Sequence, residues 1–270
     1  MKEIQKAEYS RLLLDMLKSF HYFCEKHGLR YSLDYGTLLG AVRHKGLIPW
    51  DDDIDVTMPR EDYSRLCALG QEDGAFGEFY RLALTGNPYS VNKPMANLVD
   101  IRTQVESEQR QRKFFYPVWI DIFPMDYAPE DRQRREAAYR SVQRDIWFTR
   151  KAMDSRKGRF RTGRMMFGAV NIPLIDMWLK KADRRASSLS YGKRFISFFA
   201  PYGEKDIVNL DYFDHRILAD FEGEQFWITG EYHNRLRSLY GDYMELAPLS
   251  TRLGCHEILL CDIGKYDILN

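Results

Sequence analysis

The chain has 270 residues, 44% of them apolar and 29% charged, and its 40 Lys/Arg against 39 Asp/Glu leave a net charge of +1. That mix belongs to a folded, water-soluble protein with enough chain to bury a large core. The balanced charge excludes a globally basic nucleic-acid binder, and with 14% aromatic residues a chain disordered throughout is excluded too.

Tyr9, Leu13, Met16, Leu17, Phe20 and Cys24 recur at helical spacing. They predict a helix from about residue 3 to 27, stopped by Gly28. Leu29, Tyr31, Leu33 and Tyr35 then alternate with Arg30, Ser32 and Asp34, the pattern of a half-buried strand. Gly36-Thr37 turns the chain into a short helix, Leu38 to about His44, and a polar loop with Gly46 and Pro49 follows. Residues 53–58 alternate again and read as a second strand. Pro59 opens a helix from Arg60 to about Leu69. Asn97–Val105 and Trp119–Phe123 are further strand candidates. Residues 131–194 read as helical, and the remainder as short helices and turns without internal repeats.

Charge is unevenly placed. Residues 131–194 hold 18 Lys/Arg against 6 Asp/Glu, leaving 22 against 33 elsewhere. Inside this segment Met165–Leu179 is largely apolar, flanked by Arg161, Arg164, Lys180, Lys181, Arg184 and Arg185. It reads either as an element lying on an anionic membrane or as a core helix pair with solvated basic faces. The charge-free run Met165–Ile175 is too short to span a bilayer. The opening MKEIQKAEYS has no apolar signal core. The expected location is the cytoplasm, peripheral at the inner face of the plasma membrane. No nucleic-acid motif accompanies the basic segment. Cys24, Cys67, Cys255 and Cys261 form no C-x-x-C or zinc-finger spacing, so they are expected to be free buried thiols.

Asp51-Asp52-Asp53-Ile54-Asp55 is the sharpest feature. Three adjacent acids repel one another unless a cation or arginine neutralises them. Asp53 and Asp55, two apart on a strand, share one face about 6.5–7 Å apart along the chain, while Ile54, Val56 and Met58 face a core. Such a pair suits Mg²⁺ or Mn²⁺. An EF-hand is excluded, because Val56 stands where the loop needs Gly and Pro59 interrupts it. A D-x-D glycosyltransferase would use the pair to hold one metal on a nucleotide-sugar pyrophosphate. A nucleotidyltransferase would add a third acid on a neighbouring strand and a Gly-Ser/Thr turn that cradles phosphate. Its parts are present: Gly36 and Thr37 open a helix whose N–H groups can face an anion, and Asp121 lies between Ile120 and Ile122.

The stretch YGTLLGAVRHKGLIPWDDDIDVTMPREDY, residues 35–63, resembles the signature of the LicD family, which includes bacterial phosphocholine transferases and the animal fukutin-related enzymes. The likeness continues in WIDIFPMD at 119–126 and in FEGEQFWITGEYHNRLRSLYGDYMEL at 221–246. It covers roughly residues 5–126 and 200–256. Thr229-Gly230 and Ala247-Pro248-Leu249-Ser250 stand where the family usually carries prolines and an acid, and the zinc-binding insertion of the animal enzymes is absent.

The resemblance implies an α+β protein with a polymerase-beta-type nucleotidyltransferase core, a small mixed sheet flanked by helices, to which a basic helical segment is added. The parts implied are a catalytic core over 1–130, the basic segment over 131–195, and a C-terminal block over 196–270 packing on the core. It implies metal-dependent transfer of phosphocholine from CDP-choline to a hydroxyl of a cell-surface glycan or lipid-linked oligosaccharide, with CMP released. The alternatives are CDP-ribitol or CDP-glycerol as donor, a D-x-D glycosyltransferase, and a non-catalytic docking protein. Asp53, Asp55 and Asp121 match the family's metal-binding acids, Asp121 being also the candidate base. Gly36 and Thr37 cradle phosphate on this reading. Arg43, His44 and Lys45 are expected phosphate contacts, and Trp50 is expected to stack on cytosine or meet choline.

Overall fold

The computed structural model describes residues 6–89, 93–108, 113–155, 161–189, 192–246, 248 and 258–262. Side chains are described for these except 6, 105–108, 113–116, 151–155, 161–173 and 258–262.

The first helix, α1, spans Lys6–His27 and buries Leu13, Met16, Leu17, Phe20 and Cys24 on one face. Gly28 ends it at φ +60°, a conformation that costs glycine little, and Leu29 N–H closes back on Cys24 O at 2.9 Å. The strand that follows differs from expectation. β1 is only Ser32–Leu33, and Ser32 and Asp34 are buried along with their apolar neighbours. Alternation predicted a wet face here, but the polar side chains of this face are paired inside the protein. Tyr35 already belongs to α2, Tyr35–Arg43, whose N-cap is Asp34. β2 covers Asp55–Pro59 and runs straight into α3, Arg60–Leu69.

β3 (Tyr80–Ala83), β4 (Ala96–Glu108) and β5 (Lys113–Tyr127) form an antiparallel run. The basic segment is a pair of helices, α4 (Arg132–Ser155) and α5 (Arg161–Ser187), and then leaves helix for β6 at Arg194–Ile196. β7 is Val208–Asn209. β8 (Arg216–Phe221) and β9 (Glu224–Thr229) form a hairpin, followed by α6 (Tyr232–Tyr240) and β10 (Ile258–Asp262). The hairpin lies where only helices and turns were expected.

The sheet is mixed, open and larger than expected, with the path β10-β4-β5-β2-β1-β9-β8. β2 runs parallel to β5 and antiparallel to β1, and β9 runs parallel to β1. Ten strands are described in all. On β5, Val118, Ile120 and Ile122 join the main core with α1, α2 and α3. Phe123 joins a second cluster with α4, α5 and β6. Strand alternation therefore sends Asp121 and Phe123 to the face away from α1. No helix among the described residues is long and apolar enough to cross a membrane. Cys24 is free and buried, as expected, whereas Cys67 is free but only partly buried. Cys255 lies outside the described residues, and so does the side chain of Cys261.

Candidate active site

The centre of the sheet assembles the acids. β2 and β5 pair in parallel register with Asp55 beside Asp121, and Asp121 N–H donates to Ile54 O at 2.8 Å. Asp53 precedes the strand by one turn of alternation and faces the same way. Carboxylate oxygens of Asp53, Asp55 and Asp121 all lie within 4.8 Å of one another. A second group, Asp51, Asp52 and Asp53, meets the same distance.

Three negative charges this close oppose one another. Burial drives the Asp55 carboxyl well above the usual carboxylate range; Asp53 and then Asp121 push it further, against the pull of Lys93. Lys93 Nζ binds the two Asp121 oxygens at 2.8 and 2.6 Å and lies 4.5 Å from the Trp119 ring centre. Asn97, opposite Asp121 on β4, donates to Asp121 Oδ1. Lys93 carried no signal in the sequence, and Asn97 only a faint one. Asn97 is placed by antiparallel register with β5, and Lys93 by a loop before β4. The one available clue was a buried-strand polar residue, Asn97, amid Ala96, Leu98 and Val99.

The helix N-terminus stands beside the acids. Asp34 accepts from Tyr35 N–H at 2.8 Å, and Thr37 Oγ1 accepts from Asp55 N–H at 2.8 Å. Thr37 thus fixes the strand that carries Asp55. By helix geometry the first-turn N–H groups have no partner within α2, which suits an anion. Gly36 lets the Asp51 carboxylate come close: a Cβ there would lie 2.7 Å from Asp51 Oδ2 and displace it.

Asp34 itself is held by charge. Arg235 on α6 grips its two oxygens at 2.8 and 2.9 Å and binds Asp206 at 2.5 Å. Thr57 and Tyr212 hydroxyls also donate to Asp34 Oδ2. All three charged residues are fully buried. Burial lifts Asp206 to about 6, against the opposing pull of Arg235.

The loop residues divide. Arg43 Nη1 donates to Tyr243 O at 2.7 Å and Glu245 O at 3.3 Å, so it ties α2 to the chain after α6. His44 stands edge-on to Trp50 with ring centres 6.0 Å apart, and burial, then Arg43, lowers its pKa. Lys45 is exposed at φ 59°, and its carbonyl accepts from Glu222 N–H at 2.8 Å. Glu222 also accepts from Leu47 N–H and abuts Gly46, so the β8–β9 turn clamps this loop.

Clustered carboxylates at the centre of a mixed sheet, beside a helix N-terminus, are suited to work on phosphates. Residues 28–174 match the family described as LicD/FKTN/FKRP, nucleotidyltransferase domain. The chain is 30% identical over 261 residues, 92% of its length, to "Lipopolysaccharide cholinephosphotransferase LicD" of Haemophilus influenzae, covering 94% of that protein. It is 37% identical over 78 residues, 27% of its length, to "Ribitol 5-phosphate transferase FKRP" of Homo sapiens, covering 16% of that protein. It is also 37% identical over 54 residues, 20% of its length and 5% of the relative's, to "Mannosyltransferase regulator 4" of Saccharomyces cerevisiae. The protein is a phosphotransferase enzyme. It belongs to the LicD family.

Proposed function

We propose that this protein transfers phosphocholine from CDP-choline to a hydroxyl of a cell-surface glycan such as a lipopolysaccharide, teichoic acid or capsule precursor, releasing CMP. The observation that carries the reading is the convergence of Asp53, Asp55 and Asp121 beside Thr37. The near full-length likeness to a protein named for phosphocholine transfer to lipopolysaccharide supports it. The reading treats residues 1–130 as a polymerase-beta-type nucleotidyltransferase core, 131–195 as an added basic unit and 196–270 as a closing block. The relative named as a ribitol 5-phosphate transferase supports transfer of a phosphorylated alcohol, with CDP-ribitol or CDP-glycerol as the alternative donor.

The donor set fits a hard divalent cation. All three ligands are carboxylate oxygens, and the charge on Asp55 is disfavoured as the site stands. Asp53, Asp55 and Asp121 would hold Mg²⁺ or Mn²⁺. When bound, the cation would neutralise the donor pyrophosphate and the leaving CMP. The first turn of α2 at Gly36 and Thr37 takes phosphate oxygens on its N–H groups. Asp121 accepts the proton of the acceptor hydroxyl, which attacks the choline-bearing phosphorus as the bond to CMP breaks. Lys93, already against Asp121, supplies a second positive charge to the phosphates. Lys45 and His44 remain candidate phosphate contacts. Arg43, bound to main-chain carbonyls, acts first as a tie. Trp50 is the candidate platform for cytosine.

Incubation of the purified chain with Mg²⁺, a glycan acceptor and a panel of CDP-alcohols, UDP-sugars and GDP-sugars tests the proposal. CMP from CDP-choline is expected. UDP or GDP instead would make the protein a glycosyltransferase.

The acceptor is taken to be lipid-linked, and α4–α5 to meet the anionic inner face of the membrane from the cytoplasm. Trp147 is 50% exposed, its ring 5.0 Å from Phe148, which stacks on Trp178 at 4.7 Å. Lys181 lies 4.1 Å over Trp178, and Leu174 and Met177 are exposed nearby. Aromatic residues beside lysine suit a lipid interface. The patch thus reaches across both helices, beyond the stretch Met165–Leu179 marked by sequence; residues 165–173 have no described side chains. Flotation with anionic vesicles at low salt is expected to carry the protein, and Trp147→Ala with Phe148→Ala to reduce this about tenfold. Equal flotation of wild type and variant would remove the patch from membrane contact.

A further inference from the structure

A ladder of aromatic rings leads away from the acids. Phe123 follows Asp121 by two residues on β5 and so shares its face. Its ring meets Tyr35 edge-on at 5.2 Å. Tyr35 stacks on Tyr202 at 5.1 Å with planes 13° apart. Tyr202 meets Tyr240 at 6.2 Å and 85°, and the two hydroxyls lie 3.3 Å apart. The first rings are buried, whereas Tyr202 is half-buried and Tyr240 is 36% exposed. The ladder therefore begins beside a catalytic carboxylate and ends in two accessible rings at right angles. Tyr202 thus lies one stacked ring from Tyr35, the first residue of α2, whose N-terminus stands beside the acids.

A right-angled pair of tyrosine rings has a definite chemical preference. A quaternary ammonium donates no hydrogen bonds, so it gains from ring faces and from nearby negative charge. A polyol needs hydrogen-bond partners, and these two hydroxyls already face each other. In a phosphocholine group two methylenes separate the ester oxygen from nitrogen, so the ammonium stays close to any phosphate held at the acids.

We propose that Tyr202 and Tyr240 form the subsite that receives the trimethylammonium group of the donor and so select choline among CDP-alcohols. This deepens the transferase reading and rests on it for the position of the phosphate. Neither residue bears on the metal or the proton; both determine specificity.

The test is calorimetric binding of CDP-choline, CDP-ethanolamine and CDP-glycerol to the full chain with Mg²⁺, alongside CMP release. Wild type is expected to bind CDP-choline about tenfold tighter than CDP-ethanolamine, which carries the same charge without the methyls. Tyr240→Leu and Tyr202→Leu are each expected to weaken CDP-choline about tenfold, raising KM with little change in kcat. The other donors should shift less than twofold, and both Phe variants should behave as wild type. Equal loss for all donors would make the pair structural, and no choline preference in wild type would overturn the subsite without any variant. Absence of CMP release from every CDP-alcohol would sink the transferase reading instead, while the binding preference would still decide the subsite.

Discussion

Asp55→Asn is expected to lower CMP release by about a thousandfold or more, because it removes a central charge from the acid cluster in a reaction governed by phosphate charge. The same change should leave the fold as stable as before, or more so. Asp55 is raised well above its ordinary value by burial and then by Asp53 and Asp121. A carboxyl raised on folding contributes its stability below the unfolded value and loses it as pH rises through the folded one. Asparagine carries no such loss. Thermal unfolding should show the variant equal to or above wild type at pH 8, with the gap closing toward pH 4. Mg²⁺ at a hundred times its Kd should stabilise wild type by about 2.7 kcal/mol and the variant far less. Retention of more than a tenth of the activity by Asp55→Asn would refute its assignment.

Arg235→Leu should have the largest effect on stability, about 3–5 kcal/mol, read from urea unfolding. Arg235, Asp34 and Asp206 are fully buried, and Arg235 bonds both carboxylates. Its removal strands two negative charges in the interior. The loss should depend on pH. Asp206 already sits at about 6, above the unfolded value near 4. Its contribution to stability is present below about 4 and lost as pH rises through about 6, so the variant should recover partly in mild acid. Addition of Asp206→Asn should restore part of the deficit at pH 8. Activity should fall with stability, since Asp34 caps the helix that carries Gly36 and Thr37.

Much of the site was legible because its signals are local. Asp53, Asp55, Gly36 and Thr37 lie within 20 residues, and Asp121 stood out as an acid between two isoleucines. What stayed hidden depends on distant partners. Asp34 looked like the wet side of a strand because Arg235, which neutralises it, comes from far along the chain. Tyr202 and Tyr240 reach the first residue of α2 by packing alone. The β8–β9 hairpin did leave a trace: Glu222-Gly223 takes φ 54° and 81°, the geometry of a tight two-residue turn. Arg43 read as a phosphate contact from its place between the turn and the acids, yet its guanidinium bonds carbonyls of Tyr243 and Glu245.

The parallel pairing of Leu33 with Ile228 carries a consequence for biosynthesis. The central sheet is complete only when β9 slides in beside β1, which is made long before it. Until then Asp34 also lacks Arg235, and Leu33 lacks its neighbour on that edge. A ribosome-tethered chain ending before β9 should therefore be protease-sensitive and catalytically silent. Chaperone holding of the long nascent intermediate, rather than stepwise domain folding, is the expected route to the active enzyme.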